Sequence, residues 1–171
     1  MKLVRFVLAA GILGAAATHA SAQLPQTRIT ALFPIGGKTG EATEVTIANG
    51  ADLDDVTEML FNHPGIQAKK KDGATNVFVV TVGADVPTGV YEARVRGLFG
   101  ASNPRSFVVG ALPETREVEP NNTKETATPV TIGSVVNGQS NGGPDVDFYK
   151  LTGKAGQRVL IECEEIGRAH V

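Results

Sequence analysis

The stretch Pro87-Thr88-Gly89-Val90-Tyr91-Glu92-Ala93-Arg94-Val95-Arg96 decides the fold. Pro and Gly set a tight turn. After it, side chains alternate between two faces, as a half-buried strand requires. The same grammar extends to either side. Ile29–Phe33 runs into Pro34, and Thr43–Ile47 alternates until Asn49-Gly50. Glu58–Phe61 and Ile66–Lys69 are short strands divided by His63-Pro64-Gly65, and Asn76–Val82 and Ser106–Val109 complete the set. About seven strands in about 80 residues, with regular turn signals, predict a β-sandwich over 28–110. Asp52–Leu60 is the best window for a helical period, and it competes with the strand at Glu58.

Composition agrees with an ordered exported chain. Of 171 residues, 42% are hydrophobic and 20% charged, with a formal net charge of -2. That balance excludes a strongly basic nucleic-acid footprint. A single Cys excludes an intrachain disulfide and a Cys-based zinc site. Residues 1–22 read as a signal peptide: Lys2 and Arg5, an apolar run Phe6–Ala17, then Ala20-Ser21-Ala22. The run is shorter than the ~20 residues of a membrane span, so no transmembrane segment is expected after cleavage. The chain from Gln23 then carries 14 basic and 18 acidic residues. Ile166-Gly167-Arg168-Ala169-His170-Val171 resembles a sequencing-library adapter read in frame. The natural protein is therefore expected to continue beyond Glu165, and 166–171 are set aside as an artefact.

After Gly110 the text changes. Ala111–Asn122 is rich in Pro and Glu, the composition of a boundary, with 111–116 as linker. Strand-like runs resume at Val130–Ile132, Ser134–Val136, Asp147–Leu151 and Arg158–Cys163. Cys163 reads as a buried small hydrophobe. Glu117 and Glu119 lie two apart, so an extended backbone points both to one side, and Asn121 continues that side. Asp145 and Asp147 repeat the spacing. Such oxygen donors suit calcium. Zinc fits far less well, since neither His nor Cys lies suitably near. The competing reading is a metal-free folding motif of local turn hydrogen bonds.

Two resemblances sharpen this. The Pro-x-Gly-x-Tyr entry at Pro87–Tyr91 resembles the late hairpin of immunoglobulin-like domains in secreted bacterial proteins. The run Glu117-Val118-Glu119-Pro120-Asn121-Asn122, followed by Gly138, Asp145-Val146-Asp147-Phe148-Tyr149 and Gly156-Gln157-Arg158-Val159-Leu160-Ile161, resembles the bacterial pre-peptidase C-terminal domain. That family is a β-sandwich similar to collagen-binding domains, and 117–165 would be its front part, an incomplete jelly-roll. Carried over by position, the resemblance implies Glu117, Glu119, Asn121, Asn122 and Asp145 as calcium ligands. Asp147 is the sixth candidate, with a turn cap as its alternative.

Other signals point elsewhere. Gly36-Gly37-Lys38-Thr39-Gly40 lacks phosphate-loop spacing and reads as a hairpin-type turn. Lys69-Lys70-Lys71 reads as a solvated tip. His63 has no nucleophile motif beside it, so no catalytic residue is assigned. The expectation is all-β: two sandwich units in an exported, non-catalytic module for binding, spacing or maturation. Its partner would be an extracellular protein or a polysaccharide. The alternative is the accessory front of a secreted hydrolase, such as a peptidase, with its catalytic domain further on.

Overall fold

The computed structural model describes residues 24–140, 143 and 145–163. The signal-like segment 1–22 and the tail 166–171 lie outside the described residues. The protein is all-β, and no helix occurs among the described residues. Nine strands lie before residue 111: β1 (Arg28–Phe33), β2 (Gly36–Lys38), β3 (Ala42–Ala51), β4 (Glu58–Phe61), β5 (Ile66–Lys70), β6 (Val77–Val82), β7 (Gly89–Gly97), β8 (Gly100–Ala101) and β9 (Arg105–Gly110). They build one sheet in the order β1-β3-β6-β5 and a second in the order β2-β9-β7-β4, with β8 against β7.

Alternation explains the core. On β7, Ala93 and Val95 are buried, whereas Glu92 and Arg96 are exposed. They face Ile29, Val45, Phe78 and Val80 of the other sheet in one apolar cluster with Phe107 and Val109. Around the deciding stretch, the Tyr91 hydroxyl donates to the Pro87 carbonyl at 2.8 Å, tying the turn to its strand. Asn103 fastens the sheets together: its Nδ2 donates to the Ile29 carbonyl at 2.9 Å, and its Oδ1 accepts from the Ile29 amide at 3.0 Å.

Two expectations need correction, and one competing reading falls. First, Gly36–Lys38 is no mere hairpin-type turn; it runs parallel to β9, Gly36 opposite Val108. A Cβ on Gly36 would sit 2.5 Å from the Val108 carbonyl oxygen, so the strands approach this closely only with glycine. Second, Asp52–Leu60 is not helical. Asp52 and Asp55 have φ of 51° and 48°, the left-handed region that Asp tolerates, and β4 follows. Third, the stretch read as a linker carries a strand. Here β10 (Glu114–Arg116) pairs in parallel with β12 (Val135–Asn137), and β11 (Thr128–Val130) pairs in parallel with β13 (Tyr149–Leu151).

The expected strand Arg158–Cys163 does not form a ladder either. Its residues are exposed, Cys163 included, because no neighbouring strand among the described residues offers it a partner. Among the described residues, the carboxy-terminal segment forms two short parallel ladders rather than a closed sandwich. It rests on the first sandwich through Arg116, whose guanidinium lies 5.4 Å from the Phe33 ring centroid and donates to the Glu44 carbonyl. That is a cation–π contact.

Candidate metal centre

Strand β10 delivers Glu117 at its end, where the Glu117 amide donates to the Asn137 carbonyl at 3.0 Å. The extended backbone then returns Glu119 to the same side, as its spacing predicts. The stretch before β13 brings Asp147 to meet them. One oxygen from each of Glu117, Glu119 and Asp147 lies within 4.8 Å of the others. Of the predicted residues, these three converge. Asn122 and Asp145 meet each other instead, Nδ2 to Oδ1 at 3.4 Å. Asp147, given a turn cap as its alternative, is the aspartate of the cluster.

Asn121 is fully buried beneath it. Its amide donates to Glu119 Oε2 at 2.9 Å, and its Nδ2 donates to Glu117 Oε2 at 3.2 Å. Its carbonyl accepts from the Phe148 amide at 2.9 Å, which stitches the two acidic stretches together. The buried oxygens Asn121 Oδ1 and Asp147 Oδ1 have no hydrogen-bond partner among the described residues. Buried polar atoms are normally paired, and oxygens gathered in this way are the donors a hard cation takes.

Two further residues escaped the sequence reading. The Tyr149 hydroxyl donates to Glu117 Oε2 at 2.8 Å. The Thr128 hydroxyl accepts from the Val118 amide at 3.0 Å, holding the strand between the two glutamates. Tyr149 was findable: residues 145, 147 and 149 share a face at period two. Gly138 makes room for this pair. A Cβ there would meet Tyr149 Oη at 2.4 Å and Glu117 Oε2 at 2.9 Å.

Electrostatics mark the cluster as under-neutralised. Desolvation raises the Asp147 carboxyl above its ordinary range, and Glu117, Asp145 and Glu119 raise it further. Burial also raises the Tyr149 phenol, helped by its hydrogen bond to Glu117 and by that charge. A carboxyl with a raised folded pKa binds its proton more tightly folded than unfolded. Stability of the calcium-free segment therefore falls as pH rises from the ordinary carboxylate range through the raised Asp147 value. Asp147→Asn is expected to flatten that dependence and to leave the calcium-free segment more stable at neutral pH. Urea midpoints measured at several pH values in chelator test this; an unchanged pH slope would count against it.

The remaining candidates sit in structural roles. His63 Nδ1 accepts from the Gly65 amide at 3.1 Å, and its ring lies edge-on to Tyr91 at 5.3 Å. Lys70 Nζ donates to the Val56 carbonyl at 2.6 Å, and Lys71 pairs with Glu44 at 2.7 Å. No helix among the described residues is long and apolar enough to cross a membrane.

No family model matches the chain. No curated protein is significantly similar to it. Among solved structures it is similar to SGBP-B of the Bacteroides ovatus mixed-linkage glucan utilization locus, determined in complex with a mixed-linkage heptasaccharide. The identity is 18% and the TM-score 0.37, over 65% of this chain and 27% of that one. The chain spans just over a quarter of that protein's length.

Proposed function

We propose that the chain is an exported, non-catalytic β-module that spaces or presents binding surfaces within a larger secreted or surface protein, and that calcium pins its carboxy-terminal segment. The carrying observation is the convergence of Glu117, Glu119 and Asp147 within 4.8 Å. The orphaned Asn121 and Asp147 oxygens support it. The donors are all hard oxygens, which fits calcium and argues against zinc. A pre-peptidase C-terminal-type reading of 117–163 is consistent with this placement at the start of a new unit.

Pinning has a physical logic. Without a cation, the cluster holds three carboxylates close to one another, and only short ladders and neighbouring hydrogen-bond donors oppose the repulsion. A bound cation converts that repulsion into attraction where the first sandwich hands over to the next segment. The sandwich surface and its loops are then presented in a fixed attitude toward an extracellular protein or polysaccharide. The signal-like segment supports export, and His63 is engaged in its own turn.

The test is calorimetry of the full chain, stripped with chelator and then titrated with calcium. Extracellular calcium modules bind at about 10⁻⁴–10⁻³ M. At about 100 times the dissociation constant, calcium adds about 2.7 kcal/mol. A rise in melting temperature is expected for the wild type and for Lys69→Ala. The Glu119→Ala, Asp147→Ala double variant should show none. A calcium response that survives in the double variant would remove the assigned ligands.

A further inference from the structure

The two halves of the molecule differ in what they bury. All fifteen core apolar residues lie between Ile29 and Val109. Beyond Gly110 the buried residues among those described are Asn121, Thr128 and Asn137, all polar. The large apolar side chains there face solvent instead: Val118 is 65% exposed, Leu160 83% and Ile161 74%. The two parallel ladders have two strands each. Parallel strands are ordinarily covered on both faces, and two strands alone are marginal. This half therefore has an apolar surface in search of a cover.

Two features specify the cover. A shallow depression of about 330 Å³ has Phe148, Tyr149, Leu151 and Ala127 as its walls, with Lys124 and Lys150 beside them. Its complement is an extended apolar segment carrying a carboxylate. The chain contains one: Val159-Leu160-Ile161-Glu162, β-forming in composition, exposed, and joined to no ladder among the described residues. We propose that the chain pairs with a second copy of itself by reciprocal exchange of this segment. Arg158–Cys163 of each copy lies along β13 of the other. Leu160 covers Phe148, and Glu162, on the same face, meets Lys124 and Lys150, while Val159 and Ile161 lie on the other face with Leu151. Because each copy gives and receives the same segment, the assembly closes as a two-fold dimer rather than growing into a fibre.

Sedimentation of the full chain across a dilution series tests this, and calcium plays no part in the readout. A monomer–dimer equilibrium is expected. Leu160→Asp should weaken it by about 100-fold, the cost of placing a carboxylate where an apolar side chain is buried. Lys124→Glu and Glu162→Lys should each weaken the dimer, and their combination should restore it. A wild type that stays monomeric, whether Leu160 is shielded within its own chain or left open, would overturn the proposal. So would association that Leu160→Asp leaves unchanged, or a charge swap that fails to restore pairing.

Discussion

Replacing Glu117 with alanine is expected to abolish the calcium response and to cost the calcium-free segment about 2–4 kcal/mol, from lost hydrogen bonds to a charged acceptor. Glu117 is the hub of the acidic centre. Its carboxylate accepts from Tyr149, from Asn121 Nδ2 and from the Gln139 amide, so three donors on three stretches converge on one side chain. Alanine leaves the buried Asn121 Nδ2 with only a 3.5 Å contact to Thr128. Relief of repulsion with Glu119 and Asp147 offsets part of that loss. Glu117→Gln separates the two effects. The amide keeps an oxygen for Tyr149 and Asn121 but turns its NH2 toward the Gln139 amide, so stability in chelator should fall less than in Glu117→Ala while calcium no longer stabilises. Thermal unfolding with and without calcium reads both variants. If Glu117→Ala kept the full wild-type response, the cation would have to sit elsewhere.

Phe107→Ala in the first sandwich is expected to cost about 3–5 kcal/mol. Phe107 is fully buried at the middle of β9. Its ring meets Phe61 edge-to-face at 5.1 Å, a geometry that adds about 0.5–1.5 kcal/mol beyond burial. On its other side it fills the space above Gly37, where a Cβ would lie 3.3 Å from Phe107 Cζ. Glycine has no side chain to move into the vacated volume, so the cavity stays open. Measured against a typical domain stability of about 5–15 kcal/mol, the loss is large enough to leave a partly unfolded population. Val90→Ala on the outer face of the same sheet is the control, because Val90 is exposed. A urea midpoint for Phe107→Ala equal to that of Val90→Ala would mean the core repacks.

The first sandwich was legible because its strands alternate. Glu58–Phe61 was found to the residue, and Val77–Val82 lies within the window read from Asn76. Gly36–Lys38 was not legible: glycine reads as turn, and a parallel pairing with residues some 70 positions away leaves no local mark. Arg158–Cys163 erred the other way. Its composition favours a strand, but composition cannot supply a neighbour to bond with. In the acidic centre, period two put Glu117 and Glu119 on one side, and the structure brings their oxygens together. It could not choose between Asp145 and Asp147, since the same period puts both on one face. That choice depends on which carboxyl the chain carries inward beside Asn121, a tertiary matter.

The parallel contact of β2 with β9 has a mechanical consequence. Tension on the chain ends would draw residue 36 toward the amino terminus and residue 110 toward the carboxy terminus. Strands that run the same way then slide past each other, and their hydrogen bonds are loaded together in shear rather than peeled singly. The Gly36–Val108, Gly37–Val109 and Lys38–Gly110 pairs would form the clamp that sets the pulling force. Forced unfolding is governed by the unfolding rate rather than by equilibrium stability. A short glycine strand thus gives the first sandwich its resistance to a pull along the chain.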